Sequence, residues 1–340
     1  NVDASLNIRY YRCELYTGCV PATTTNTASL EVRTSPVLDY SPTNVTICQG
    51  QSAAFATNAT GSLLNFQWQV STNGGSSWSN VANGGIYSGA TSKVLTVTNA
   101  PTSVNGYRYR CSISGYCAPV ITSGSAILTV NTPVVITSQP TSSITICSGD
   151  NASYTVGATG TGLSYKWYRY NGTAYVQINN GGVYSGATTS TLNITGMTAP
   201  TTTVTNSYHC IVTGTCNTAS TNTLNLTVHA RPTITSNPSS VTVCDSTQYV
   251  DFVAAATGTN ISYQWQLNTG SAWVNISNNA TYSGATTAQL RVAMALYAMN
   301  GYQYRCVVSG TCSPQATTSV ATMNVNQLQA PSVTITGNTD

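Results

Sequence analysis

Five residues recur three times in the same order: a cysteine, a tryptophan, a tyrosine two residues before a second cysteine, and a third cysteine six residues later. They are Cys48, Trp68, Tyr109, Cys111 and Cys117; then Cys147, Trp167, Tyr208, Cys210 and Cys216; then Cys244, Trp265, Tyr304, Cys306 and Cys312. The tryptophans stand 99 and 98 residues apart. A unit of about one hundred residues therefore repeats, which is an ordinary domain size. The implied divisions are three whole repeats at 34–131, 132–229 and 230–327, the C-terminal part of an earlier repeat at 1–33, and the start of a following domain at 328–340. Ser5-Leu6-Asn7-Ile8-Arg9-Tyr10-Tyr11-Arg12-Cys13 aligns without a gap on Ser103-Val104-Asn105-Gly106-Tyr107-Arg108-Tyr109-Arg110-Cys111, and Cys19 again follows by six. Pro331-Ser332-Val333-Thr334-Ile335 restarts the opening strand, with Thr336 in the place of the cysteine.

Within a repeat the apolar residues alternate. Phe66, Trp68 and Val70 interleave with Asn65, Gln67 and Gln69, the pattern of a half-buried strand. Val94-Leu95-Thr96-Val97 has counterparts at Thr191–Ile194 and Gln289–Val292, and Ile127-Leu128-Thr129-Val130 closes its unit. Gly- and Asn-rich punctuation separates these runs, including Asn83-Gly84-Gly85 and a thrice-used Tyr-Ser-Gly-Ala-Thr beginning at Tyr87, Tyr184 and Tyr282. The helix-friendly stretch from Ala293 to Met299 is too short for more than a turn or two. Many short strands with turn signals between them predict an all-β chain of tandem β-sandwich domains.

A tryptophan on the third strand and a tyrosine two residues before a cysteine on the sixth resemble the immunoglobulin fold, in which the tyrosine hydroxyl returns to nearby backbone. The phrasing Tyr263-Gln264-Trp265-Gln266, Tyr-Ser-Gly-Ala-Thr and Asn300-Gly301-Tyr302-Gln303-Tyr304-Arg305-Cys306 is similar to the Ig-like repeats of very large Bacteroidota surface proteins. That resemblance implies an adhesin or cell-surface filament exported by the type IX secretion system. It implies the core set Trp68, Trp167, Trp265, Tyr109, Tyr208 and Tyr304, and it says little about a ligand.

The cysteines depart from the immunoglobulin pattern. Thirteen residues before each tryptophan, near the usual first cysteine, stand Phe55, Tyr154 and Phe252. Cys48 lies 20 residues before Trp68, in the turn between the first two strands. Seven strand residues span about 23 Å, well beyond the ~7 Å between Cα atoms that a disulfide tolerates, which disfavours Cys48–Cys111. Two pairings stay open. Cys111 bridges Cys117 across a short hairpin, or Cys48 meets Cys216 of the next repeat while Cys147 meets Cys312. The second explains a cysteine at each pole and leaves Cys13, Cys111, Cys210 and Cys306 as buried thiols. Pro133, Pro140, Pro232 and Pro238 are read as linker prolines that favour extension.

Composition narrows function further. Charged residues make up 6% of the chain, against about a quarter in ordinary domains. A net charge of +3 without any Lys/Arg run is no nucleic-acid footprint. No stretch has the ~18 apolar residues of a membrane helix, and residues 1–20 lack a signal-peptide pattern. Cysteines at fixed spacing suit an oxidising, extracellular setting. The two histidines, His209 and His229, are read as strand and linker polar residues, and the eight acids show no calcium-loop spacing or carboxylate dyad. No zinc motif or phosphate-cradling loop is present, so no catalytic residue, metal or cofactor is expected. Trp78, Tyr175 and Trp273 occupy equivalent positions and are candidates for stacking on sugars, although packing on a neighbouring strand explains them as well. Asp245-Ser246-Thr247 resembles a Bacteroidota O-glycosylation site and makes Ser246 a candidate acceptor. The expected role is a structural stalk holding a distal tip off the cell. Its partners are the neighbouring repeats, and surface polysaccharide or other surface proteins are candidate ligands. The alternatives are a carbohydrate- or protein-binding module and accessory domains of a secreted hydrolase.

Overall fold

The computed structural model describes residues 4–328, so the stretch read as the start of a following domain lies, apart from Leu328, outside the described residues. Two compact units are present. One holds the chain up to Val135 with Ala158–Leu163 and Val212–Ala219; the other holds Ile136–Gly157, Ser164–Ile211 and the chain from Ser220 onward. Secondary structure among the described residues is strand with short 3-10 turns, one of them at Tyr297–Met299.

In the first unit, the strands from Val37–Tyr40 to Ala126–Asn131 pack as two sheets against each other. The larger runs Ser79–Asn80, Asn65–Ser71, Arg108–Ser114, Ala126–Asn131, Val45–Cys48, with Ile121–Thr122 added to Arg108–Ser114. The smaller runs Tyr87–Ser88, Val94–Val97, Ala53–Ala56. The same strand orders recur in the other two whole repeats. Val45–Cys48 runs parallel to Ala126–Asn131, with Cys48 opposite Asn131, whereas the other pairs of this repeat are antiparallel. The equivalent parallel pairs set Cys147 opposite His229 and Cys244 opposite Asn326.

Pro140 and Pro238, read from the sequence as linker prolines, lie instead inside the opening strand. That strand is broken in two. Val37–Tyr40 pairs with Asn58–Thr60, and the chain then crosses to the other sheet as Val45–Cys48. Pro42 is buried in the break, as Pro140 and Pro238 are in theirs. A proline has no N–H to give a ladder, so it sits where the strand changes partners.

The core follows from the alternation. Along Arg108–Ser114 the inward residues Tyr109, Cys111 and Ile113 are fully buried, and Cys111 lies opposite Trp68, also fully buried. Phe55 approaches from the smaller sheet, with its ring 4.8 Å from that of Tyr109. Phe252 stacks on Tyr304 at 4.5 Å and Tyr154 lies 5.9 Å from Tyr208. An aromatic thus stands where an immunoglobulin domain has the first cysteine of its inter-sheet disulfide, while Cys111, Cys210 and Cys306 keep the place of the second as buried thiols.

The Tyr-Ser-Gly-Ala-Thr segment has a structural cause. Gly89 adopts φ +76°, and a Cβ there would stand 2.1 Å from the Val94 carbonyl; Gly186 and Gly284 repeat both features. The turn buries Ala90, whose N–H donates to Asn83 Oδ1, and presents the Ser92 carbonyl to the Trp68 indole N–H at 2.8 Å. Trp167 and Trp265 donate likewise to the Thr189 and Thr287 carbonyls. The expected return of the core tyrosine hydroxyl to backbone does not occur. Tyr109 meets the Tyr87 hydroxyl at 3.1 Å and Tyr208 meets that of Tyr184 at 3.2 Å, because the turn carries this second tyrosine over the core.

Candidate functional site

The cysteines at the sheet ends make covalent links between repeats. In the first unit, Val45–Cys48 ends against Ala126–Asn131, and the following turn is held by Gln51, whose Oε1 accepts from the Cys48 N–H. Cys216 follows Val204–Thr213 in a tight connection closed by Gly214 N–H donating to the Asn217 carbonyl. Cys48 and Cys216 are bonded, with Cα atoms 5.7 Å apart. Around the bridge, the Val134 N–H donates to Asn217 Oδ1 at 2.6 Å and the Thr132 N–H to Thr161 Oγ1 at 2.9 Å. Cys216 Sγ lies 3.6 Å from the carbonyl of Asn131, the residue opposite Cys48.

The second unit contains the equivalent bond, Cys147–Cys312, with Cα atoms 5.8 Å apart. Cys312 is buried and its Sγ lies 3.7 Å from the His229 carbonyl. Arg231 adds contacts that the first link lacks a residue to make, since Pro133 holds its place there. Its Nε donates to the Ser148 carbonyl and its Nη2 pairs with Asp150 at 2.7 Å. His229 Nδ1 meets Thr203 Oγ1 at 2.9 Å, and Thr203 in turn meets Thr259 Oγ1. The linker histidine is thus part of a polar network beside the bridge.

Of the two open pairings, Cys111–Cys117 is not formed. Cys111 lies in the core, while the Cys117 Sγ points to the Arg33 carbonyl at 3.6 Å. Cys111, Cys210 and Cys306 are buried thiols. Burial pushes Cys111 and Cys306 up to about 11 and Cys210 up to about 12, which keeps them protonated and unreactive. Cys13, expected to be a fourth buried thiol, is exposed. The ribbons around it, Arg9–Tyr11 with Ala28–Leu30 and Glu14–Thr17 with Val20–Thr24, have no facing sheet among the described residues. Cys19 and Cys244 are exposed free thiols.

The aromatic candidates are each engaged on one side. The Arg110 guanidinium lies 4.2 Å over Trp78, and Arg305 lies 4.2 Å over Trp273. Tyr175 meets the edge of His209 at 4.3 Å, and His209 stacks on Tyr168. Burial lowers the pKa of His209, favouring the neutral ring. Ser246 is exposed at φ +69°, where the other two repeats have Gly50 and Gly149 with φ of +81° and +90°. Its N–H donates to the Ala295 carbonyl and its flanking Asp245 caps the Tyr297 N–H. Among the described residues no group of three or more His, Cys, Asp or Glu is placed to hold a metal ion. No helix there is long and apolar enough to cross a membrane.

A family model described as a domain of unknown function (DUF8696) matches residues 40–132. No curated protein matches the sequence. Among solved structures, the I-band fragment I67-I69 from titin is similar with a TM-score of 0.63 at 18% identity, covering 86% of this chain and 99% of that one. An E-to-A mutated variant of the same three titin domains gives the same values. Sidekick-1 immunoglobulin domains 1-5 are also similar, at 17% identity and a TM-score of 0.49 over 96% of this chain and 68% of that one. At such identities the likeness to titin speaks to fold alone, and the fold is that of tandem immunoglobulin-like β-sandwich domains.

Proposed function

We propose that this chain is a spacer segment of an extracellular adhesin or surface filament of the Bacteroidota type, exported through type IX secretion, with repeats at 34–131, 132–229 and 230–327. The observation that carries the reading is the covalent coupling of successive repeats through Cys48–Cys216 and Cys147–Cys312. Interfaces between domains of one chain are usually small and permit relative motion. A disulfide closing more than 160 residues of chain opposes unfolding by about 5 kcal/mol in the chain-entropy account. A chain that only had to display independent binding domains gains little from such links, whereas one that transmits position or force gains directly. The surface polarity, carried by hydroxyls and amides rather than charge, gives few handles for a charged ligand.

The test is binding by the oxidised chain on a polysaccharide array and in pull-downs with surface proteins. The spacer reading expects no saturable binding at micromolar concentration. Saturable binding abolished by Trp78→Ala or Trp273→Ala would replace it with the binding-module reading.

A further inference from the structure

Residues 5–33 hold the backbone of the last third of a repeat with its inward face uncovered. The hydrogen bonds that shape this region in complete repeats recur. Asn7 Oδ1 accepts from the Val32 N–H at 2.9 Å, as Asn105 does from Val130 and Asn300 from Val325. The Ile8 N–H donates to the Leu30 carbonyl at 2.8 Å, as that of Gly106 does to Leu128. The Cys13 N–H donates to Thr25 Oγ1, as that of Cys111 does to Ser123 Oγ. The pairs Tyr10↔Ser29 and Tyr11↔Ala28 reproduce Arg108↔Ile127 and Tyr109↔Ala126. Ile8 even takes φ +59°, unfavourable for a branched residue, where Gly106 has +83°. Yet Tyr11 is 50% and Leu15 57% exposed, whereas their counterparts Tyr109 and Ile113 are at 0%.

Cys117 supplies an independent observation. In both formed bridges, the third cysteine of a repeat places its Sγ beside the carbonyl of one particular residue, Asn131 or His229. That residue lies opposite the first cysteine of the preceding repeat, on a parallel strand. Cys117 is posed in the same way on the Arg33 carbonyl at 3.6 Å, and its thiol is free. A strand added parallel to residues 30–33 and ending in cysteine opposite Arg33 would put that cysteine beside Cys117.

We infer that residues 5–33 and Cys117 form one docking face for a β-segment of the kind that residues 37–97 form in the complete repeats. The occupant carries an aromatic at the position of Phe55, tryptophan at that of Trp68, and a terminal-strand cysteine at that of Cys48. It buries Tyr11, Cys13 and Leu15 and is then sealed to Cys117. In the sealing step the two thiols lose two protons and pass two electrons to a small-molecule disulfide such as oxidised glutathione, which leaves as two glutathione thiols as the new S–S bond forms. This inference does not rest on the spacer reading.

The test joins a second copy of residues 34–102 directly in front of Ser5 of the chain, the junction that the alignment of Ser5 on Ser103 prescribes, and folds it in glutathione redox buffer. Peptide mapping is expected to recover the copy's Cys48 bonded to Cys117, with Cys48–Cys216 and Cys147–Cys312 recovered as internal checks. Alkylation of Cys13 by iodoacetamide should slow by about ten-fold or more, since labelling then requires local opening. With Cys48→Ser in the copy, Cys13 should stay shielded while Cys117 labels. A free Cys117 thiol in the first protein, or Cys13 labelling as fast as in the original chain, overturns the inference.

Discussion

At the scale of single residues, the three tryptophans carry the most weight. Each is fully buried and satisfies its indole N–H on a turn carbonyl of its own repeat. Trp68→Ala should lower stability by about 3–5 kcal/mol, enough to unfold a repeat of ordinary stability; denaturant unfolding followed by near-UV circular dichroism measures it. Tyr154 is informative in the other direction. Its hydroxyl is buried without a hydrogen-bond partner, and burial pushes its pKa up to about 12. The equivalent residues are Phe55 and Phe252. Tyr154→Phe removes an unsatisfied group and should raise stability by about 1 kcal/mol, read as a shift of the denaturation midpoint. The buried thiols set a pH limit. Their folded pKa values, about 11 to 12, lie above the ordinary thiol value of 9.0. The unfolded chain therefore loses protons first, and the stability they contribute is intact below pH 9 and falls as pH rises toward 11–12. Unfolding titrations from pH 8 to 11 should show this decline, and Cys111→Ser should not mimic it at neutral pH.

At the scale of elements, the Tyr-Ser-Gly-Ala-Thr turn joins the two sheets through four contacts: a buried alanine, a carbonyl for the indole, an asparagine cap and a tyrosine over the core tyrosine. Its glycine is the one residue for which no side chain fits. Gly89→Ala would force a Cβ to 2.1 Å from a backbone carbonyl at a φ of +76°. We expect a loss of at least 1–3 kcal/mol, in contrast to Gly106→Ala, where φ is +83° but nothing stands within 4 Å. Comparing the two in one denaturation series separates the steric cost from the conformational one. The motif was visible in the sequence as a repeated string, but its role was not. A string shows that a segment recurs, while the carbonyl that meets the indole depends on where the turn packs.

At the scale of the whole molecule, the two bridges overlap along the chain, because Cys147 lies between Cys48 and Cys216, and Cys216 between Cys147 and Cys312. A force applied at the ends then runs from Cys48 to Cys216, back along the chain to Cys147, and across to Cys312. The stretch from Cys147 to Cys216 carries the load in place of the much longer stretch from Cys48 to Cys312. Fully unfolded by pulling, the oxidised chain should be shorter than the reduced one by roughly 650 Å, taking the extended length per residue. Single-molecule force spectroscopy with and without reductant measures the difference, and equal contour lengths would refute the connectivity. Peptide mapping without reductant should also recover Cys13, Cys19 and Cys244 as readily alkylated thiols, and Cys111, Cys210 and Cys306 as slow ones.

The repeat, the strand alternation and the buried tryptophans were legible in the sequence, because they rest on local periodicity and on spacing that any sandwich must respect. The aromatic at Phe55, Tyr154 and Phe252 was legible for the same reason, as its position is set by counting along one strand. The disulfide partners were narrowed to two pairings, one of which forms as Cys48–Cys216 and Cys147–Cys312, but the choice was not legible, because cysteines in different repeats are related only through how strand ends and hairpins meet in space. The break in the opening strand at Pro42, Pro140 and Pro238 was also missed, since a proline beside a linker and a proline where a strand changes sheets look alike until the partner strands are known. Cys13 makes the same point in reverse. Its sequence context matches that of Cys111, but burial is a property of the facing sheet, and local sequence does not carry it.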